Sequence, residues 1–186
     1  MSTEPSQNAL LNLASLLNQD ASIYEIEGEG QLLADASKLA KGTRLQDSIH
    51  WRIVVRSTGG DDDFILEGDV SGSALMECRR CLDDVTVSAE ASFVYPMIYK
   101  QGTEGLVLTE DKEAEDDLLV FGQPEVDFAD LITQLFAIEL PLTALCKEDC
   151  KGLSTDGVNL NHHPNHEVAV EAEKTSPFAA LKDIEL

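Results

Sequence analysis

The apolar positions change period along the chain. Leu10, Leu11, Leu13, Leu16 and Leu17 recur at helical spacing behind Ser6 and Asn8, either of which can cap a helix start, and they predict a short amphipathic helix. From Tyr24 the pattern becomes alternation. Tyr24 and Ile26 stand against Glu25, Glu27 and Glu29, and Gly28 and Gly30 mark a bulge or a close approach of another group. Ile49, Trp51, Ile53 and Val55 alternate with His50, Arg52, Val54 and Arg56, which predicts a half-buried strand. Gly59, Gly60 and the run from Asp61 to Asp63 form a connection. A strand then runs from Phe64 to Met76, and another from Val85 to Tyr95, stopping at Pro96. Short links between these strands predict antiparallel pairing.

Further on, residues 101–117 are rich in Gly, Glu and Asp and are expected to form a mobile acidic loop. Leu118 to Phe121 is expected to add an edge strand. Asp127 is suited to cap a helix whose apolar stripe is Phe128, Leu131, Ile132, Leu135 and Phe136, ending before Pro141. That helix is expected to pack on the sheet. In the polar tail, Phe178, Leu181 and Ile184 are spaced for a short docking segment. The predicted class is α+β: an antiparallel β-sheet or small partly open β-barrel with a few flanking helices and a zinc knuckle. The expected organisation is a flexible N-terminus over 1–8, a single domain over 9–161 and a polar tail over 162–186.

Composition agrees with a folded protein, since 43% of the 186 residues are hydrophobic and 26% charged. Charge changes the picture more. Thirteen Lys and Arg against 35 Asp and Glu give a net charge of -22. Nucleic acid is bound chiefly by neutralising phosphates, so this surplus opposes extensive RNA binding and fits a basic partner protein. The alternative is that the charge only keeps the chain soluble. Met1 to Gln7 is polar and acidic, unlike a secretory signal, and no apolar run approaches the roughly 20 residues that span a bilayer. A cytoplasmic location with reduced thiols is expected, with no membrane partner.

The four cysteines fall in two close pairs, Cys78-Arg79-Arg80-Cys81 and Cys146-Lys147-Glu148-Asp149-Cys150. Two or three residues between ligands let both sulfurs of a turn face one ion, and four thiolates complete a tetrahedral zinc shell. One zinc per chain is expected, with four reduced thiols and no metal as the alternative. Arg79, Arg80, Lys147 and Lys151 favour thiolates at these positions. A thioredoxin-like role would require a helix after Cys81, where Val85 to Tyr95 predicts a strand. There is no Walker-type phosphate loop, no GxSxG elbow and no HExxH helix, so neither an enzyme nor a small-molecule substrate is expected.

The order of these features resembles the bacterial and plastid family called large ribosomal RNA subunit accumulation protein YceD. The landmarks are Cys78-Arg79-Arg80-Cys81-Leu82 between two strands, the acidic stretch into Glu115-Asp116-Asp117, and Val126-Asp127-Phe128 before the helix. They continue with Glu139-Leu140-Pro141-Leu142, Cys146 to Leu153, Asn159-Leu160-Asn161 and Pro177-Phe178-Ala179-Ala180-Leu181-Lys182. Where many members carry a further CPxCG knuckle, this chain has Ser154-Thr155-Asp156-Gly157, so Cys78, Cys81, Cys146 and Cys150 must close any metal site, or His162, His163 and His166 substitute. The resemblance implies support of 23S ribosomal RNA accumulation and large-subunit assembly. The implied partner is a basic ribosomal protein or a pre-large-subunit particle. Arg79, Arg80, Glu110, Asp111, Glu115, Asp116 and Asp117 are the expected partner-binding residues, with any ribosomal RNA contact limited to the arginine-bearing knuckle. The alternatives are a zinc-knuckle protein acting directly on ribosomal RNA, helped by Trp51, Arg52 and Arg56, and a generic acidic protein-interaction module.

Overall fold

Two unusually long strands, β5 (Asp63–Glu77) and β6 (Asp84–Tyr99), form a hairpin that runs the length of the molecule in this computed structural model. The structure describes residues 4–18, 23–60, 62–110 and 117–167. Strand β4 (Ile49–Ser57) pairs antiparallel with the first half of β5, and β2 (Glu25–Leu32) pairs antiparallel with β4. The short β3 (Thr43–Leu45) continues alongside the second half of β5. On the far side, β8 (Asp117–Phe121) joins β6 in parallel and β7 (Leu106–Glu110) pairs antiparallel with β8. Among the described residues this makes an open seven-stranded mixed sheet in the order β2-β4-β5-β6-β8-β7. The antiparallel-sheet alternative therefore holds, with one parallel pair added, and the sheet does not close into a barrel.

The period of two decides which face is buried. Ile53, Val55, Leu66, Val70, Ala74, Ala91, Phe93 and Met97 share one face and are buried in a single core. Helix α2 (Ala129–Glu139) lies on that face and buries Leu131, Ile132 and Phe136. Gly72 is what admits it: a Cβ there would stand 3.1 Å from the Phe136 ring. The N-cap of α2 is Phe128, without a side-chain cap bond, and not Asp127, which stands one residue earlier with its Oδ1 accepting the Ala129 N–H at 2.9 Å and the Ala9 N–H at 3.0 Å. The predicted close approach at Gly28 and Gly30 is present. Added Cβ atoms would meet the Leu11 side chain at 2.5 Å and the Trp51 ring at 3.0 Å.

Four further expectations change. The leucine run from Leu10 forms β1 (Leu10–Asn12) before a single helical turn, α1 (Ala14–Leu17). Strand β1 pairs with β9 (Glu125–Asp127), a tertiary contact that overrides the local helical period. Within the expected loop 101–117, Leu106 to Glu110 is strand, and Glu110 sits opposite Asp117 in the ladder. Leu118 to Phe121 is interior rather than an edge, flanked by β6 and β7. Strand β6 does not stop at Pro96 but pairs it with Ile65, at a point where β6 has β5 alone beside it and a missing N–H is tolerated. Ser6 donates its N–H to the Gln31 carbonyl at 2.9 Å.

Candidate metal centre

The first cysteine pair occupies the tip of the long hairpin. Cys78 is the residue after β5, and its backbone N–H donates to the Asp83 carbonyl at 2.8 Å to close the turn. The Leu82 N–H returns to the Cys78 carbonyl at 2.9 Å, and Leu82 takes φ of 62°, the left-handed conformation a tight knuckle requires. The second pair arrives from the segment after α2. There Ala144 bridges Cys78 in parallel, and its carbonyl accepts the Arg79 N–H at 3.0 Å.

These turns bring all four sulfurs within 4.8 Å of one another. Cys78 Sγ lies 3.9 Å from Cys150 Sγ, and Cys81 Sγ lies 3.6 Å from Cys146 Sγ. A tetrahedron of sulfurs about 2.3 Å from a central zinc has edges of about 3.8 Å, so the set is already near the size of a metal shell. Cys78, Cys81 and Cys150 are buried and Cys146 is exposed, which leaves one side open to solvent. The four thiols form one plausible metal-binding site, with no need of further cysteines at 154–157. That segment is instead a turn, in which the Ser154 N–H donates to the Val158 carbonyl at 2.9 Å and Ser154 Oγ contacts Asp156.

The surroundings separate the thiols into two kinds. The backbone N–H of Cys146, more than any other group, lowers the Cys78 thiol to about 6 against the cost of its burial. Burial works against ionisation of Cys150, yet the Asn161 side chain, the Gly152 N–H and the neighbouring thiols together hold it below the usual range. Burial pushes Cys81 up to about 12, and it also raises Cys146. Cys78 and Cys150 are therefore the thiols that ionise more readily, and Cys81 and Cys146 the ones that hold their protons longer.

A supporting shell surrounds the sulfurs. Asn161 donates its amide to Cys150 Sγ at 3.2 Å and accepts the Lys151 N–H at 3.0 Å. Asn159 donates to both carboxylate oxygens of Asp83 at 2.9 Å, which ties the late segment to the hairpin tip. Arg80 Nη1 donates to the carbonyls of Glu148 and Cys150 at 3.0 and 3.2 Å. Asp83 was absent from the sequence expectations, and the asparagines entered only as landmarks. Their NxN spacing just after a cysteine turn was the available signal.

The remaining predicted residues are placed as follows. Arg79 and Arg80 are both exposed on the knuckle, with Arg80 engaged as above. Glu110 and Asp117 face one another at the ends of β7 and β8, remote in the fold from the hairpin tip, whereas Asp111, Glu115 and Asp116 lie outside the described residues. Phe178, Leu181 and Ile184 lie outside them too. His162 and His166 do not join the sulfurs: their Nε2 atoms meet Asp83 at 3.0 Å and Asp156 at 2.7 Å. Trp51 is core, 9% exposed, with its Nε1 unpartnered among the described residues. Arg52 and Arg56 stand on the opposite face, paired with Glu27 at 2.5 Å and with Glu25 at 3.0 Å.

An open sheet whose longest hairpin carries four converging cysteines at its tip defines a small α+β protein with a candidate metal centre. Residues 66–185 match the model of the family described as large ribosomal RNA subunit accumulation protein YceD, and the chain belongs to that family. Its curated relatives include uncharacterized proteins of Mycobacterium bovis and Mycobacterium tuberculosis. Each is 26% identical over 106 residues, which is 56% of this chain and 49% of the relative. An uncharacterized protein of Mycobacterium leprae is 27% identical over 110 residues, 56% of this chain and 46% of the relative. The chain thus spans about half the length of the curated relatives it matches. No solved structure matches it. Among the described residues, no helix is long and apolar enough to cross a membrane.

Proposed function

We propose that the chain is a non-enzymatic, cytoplasmic factor that supports 23S ribosomal RNA accumulation and large-subunit biogenesis by binding a basic ribosomal protein or an assembly intermediate. The observation that carries this reading is the family match over residues 66–185, which takes in the long hairpin, the cysteine centre and α2. The net charge of -22 supports a basic protein as partner, because opposite fields steer encounter and like charges exclude RNA. Arg79, Arg80, Glu110, Asp111, Glu115, Asp116 and Asp117 are the partner-binding residues of this reading. The folding unit it assigns is 9–161, flanked by 1–8 and 162–186.

The metal of the reading is one zinc per chain, held by Cys78, Cys81, Cys146 and Cys150. Four thiolates are a soft, tetrahedral donor set, the chemistry of a structural zinc site with no open position for catalysis. When bound, zinc would fix the hairpin tip against the segment after α2. Direct action on RNA is the weaker reading: Arg52 and Arg56 already face carboxylates, and Arg80 is committed to backbone carbonyls.

Gradient profiles of a deletion strain test the proposal. Reduced 23S ribosomal RNA and a deficit of large subunits are expected, and unchanged levels of both would remove the reading.

A further inference from the structure

The outer edge of β2 is a stretch of strand backbone with no ladder partner among the described residues. The Tyr24 carbonyl accepts the Ser57 N–H of β4 at 3.0 Å, so even-numbered residues of this strand turn toward β4. Odd-numbered residues turn outward, as Ser6 demonstrates: it donates to the Gln31 carbonyl at 2.9 Å and accepts the Leu33 N–H at 2.7 Å. By the same alternation, the N–H and C=O groups of Glu25, Glu27 and Glu29 point away from the sheet. No described residue pairs with them. Ser6 shows that this edge accepts a strand, in parallel sense, and the described N-terminal residues cover only its final part.

The side chains of the same three residues set what can bind. Glu25, Glu27 and Glu29 are exposed on the face opposite the core, which also carries Glu67 and Asp69 of β5 across β4 and, one strand further, Glu90 of β6. Arg52 and Arg56 are the basic residues that β4 contributes to that face, where they pair with Glu27 and with Glu25 and Glu67, and Glu29 and Asp69 have no ion pair among the described residues. An acidic edge repels a second copy of this acidic chain, which is how exposed edges are kept from self-association. It does not repel a strand of opposite charge.

We infer that the β2 edge at Glu25 to Glu29 is a docking site for an extended basic segment of a partner protein, added to the sheet as a further strand. Main-chain hydrogen bonds to the outward groups supply affinity, and Lys or Arg side chains at every second position lie over the glutamates. This deepens the proposed function by naming a surface for the basic partner, and it rests on that reading only for the partner's ribosomal origin.

The test uses the whole chain and a ten-residue peptide of alternating Arg and Thr, with a Glu-Thr peptide of equal length as control. Amide hydrogen exchange is followed residue by residue. The basic peptide is expected to slow exchange at Glu25, Glu27 and Glu29, with Ile26 and Gly28 unchanged because they already bond to β4. E27P removes an outward N–H without touching the β2–β4 ladder, and is expected to weaken the peptide by about tenfold. E27Q keeps the donor and is expected to reduce only the salt-sensitive part. Protection confined to the acidic end of β7 and β8, or none at Glu25, Glu27 and Glu29, would overturn the inference even if E27P failed to fold. So would protection of these amides without peptide: independent of concentration it assigns the edge to another segment of this chain, and rising with concentration it assigns the edge to a second copy. In a deletion strain with a ribosomal defect, full rescue by E27P would overturn the edge and leave the proposed function standing. The absence of any such defect would do the reverse.

Discussion

Asn161 donates its side-chain amide to the sulfur of Cys150 at 3.2 Å, while its carbonyl oxygen accepts the Lys151 N–H. A single asparagine therefore both favours the thiolate and fixes the turn that presents it. Groups in this position tune metal sites by orienting the ligands and by stabilising their charge.

Purified protein is expected to carry about one zinc per chain, and Cys78→Ser or Cys146→Ser to abolish it. Asn161→Ala keeps all four ligands and is expected to weaken zinc by about 10–100-fold in a chelator competition. Unchanged affinity in that variant would show that the Asn161 contact does not act on the metal.

Zinc entry is expected to release protons at pH 7. Cys78, at about 6, is already ionised there, whereas Cys81, at about 12, and Cys146, raised by burial, still hold their protons. Calorimetry in buffers of different ionisation enthalpy should therefore count at least two protons per zinc, one each from Cys81 and Cys146. Affinity should fall with falling pH and fall more steeply below about 6, where Cys78 also protonates. A proton count near zero would contradict this division of the thiols.

Asp83 is held below its ordinary range by the Asn159 amide first and by His162 among its other contacts. A depressed carboxylate contributes stability that is present above its unfolded value and is lost as pH falls through its folded value. Asp83→Asn is thus expected to be less stable than the parent at pH 6 in urea unfolding. The gap should close as pH falls below about 4. A gap that does not narrow at all as pH falls below about 4 would mean that packing rather than charge sets it.

Gly68 sits in β5 between Ile53 of β4 and Phe93 of β6 in the sheet, and a Cβ would stand 2.5 Å from the Arg52 carbonyl and 2.6 Å from the Phe93 ring. Gly68→Ala is expected to cost about 1–3 kcal/mol by overpacking. Gly72→Ala should cost less, because its 3.1 Å neighbour is the Phe136 ring and its nearest backbone atom is 3.6 Å away. Denaturant midpoints order the two, and the reverse order would refute the argument.

Leu82 keeps a φ of 62° while its side chain is 57% exposed. Leu82→Gly removes the backbone penalty and forfeits little burial, so thermal unfolding should show an unchanged or slightly more stable protein, by up to about 1 kcal/mol. A large destabilisation would mean that the side chain supports the knuckle.

The strands β2, β4, β5 and β6 were legible because each buries one face, so alternation and burial coincide, as at Ile53 and Val55 or Leu66 and Val70. Strand β1 was not, because five leucines within eight positions satisfy a helical period, and pairing with the distant Val126 decides the outcome. Strand β7 carries exposed Val107 and Leu108 in succession and has no alternation to read. For the cysteine centre, spacing named all four sulfurs. Their convergence depends on the Cys78–Ala144 bridge and on the Asp83–Asn159 contact, long-range features that no local pattern records.

Cys78 and Cys150 are 72 positions apart in the chain, although their sulfurs are 3.9 Å apart in space. The long hairpin needs only near neighbours and can form while the chain is still being synthesised, but its tip lacks half of its thiols until Cys150 emerges. A metal held by all four cysteines therefore marks completed translation of this region. Any partner that recognises the closed knuckle would disregard nascent chains.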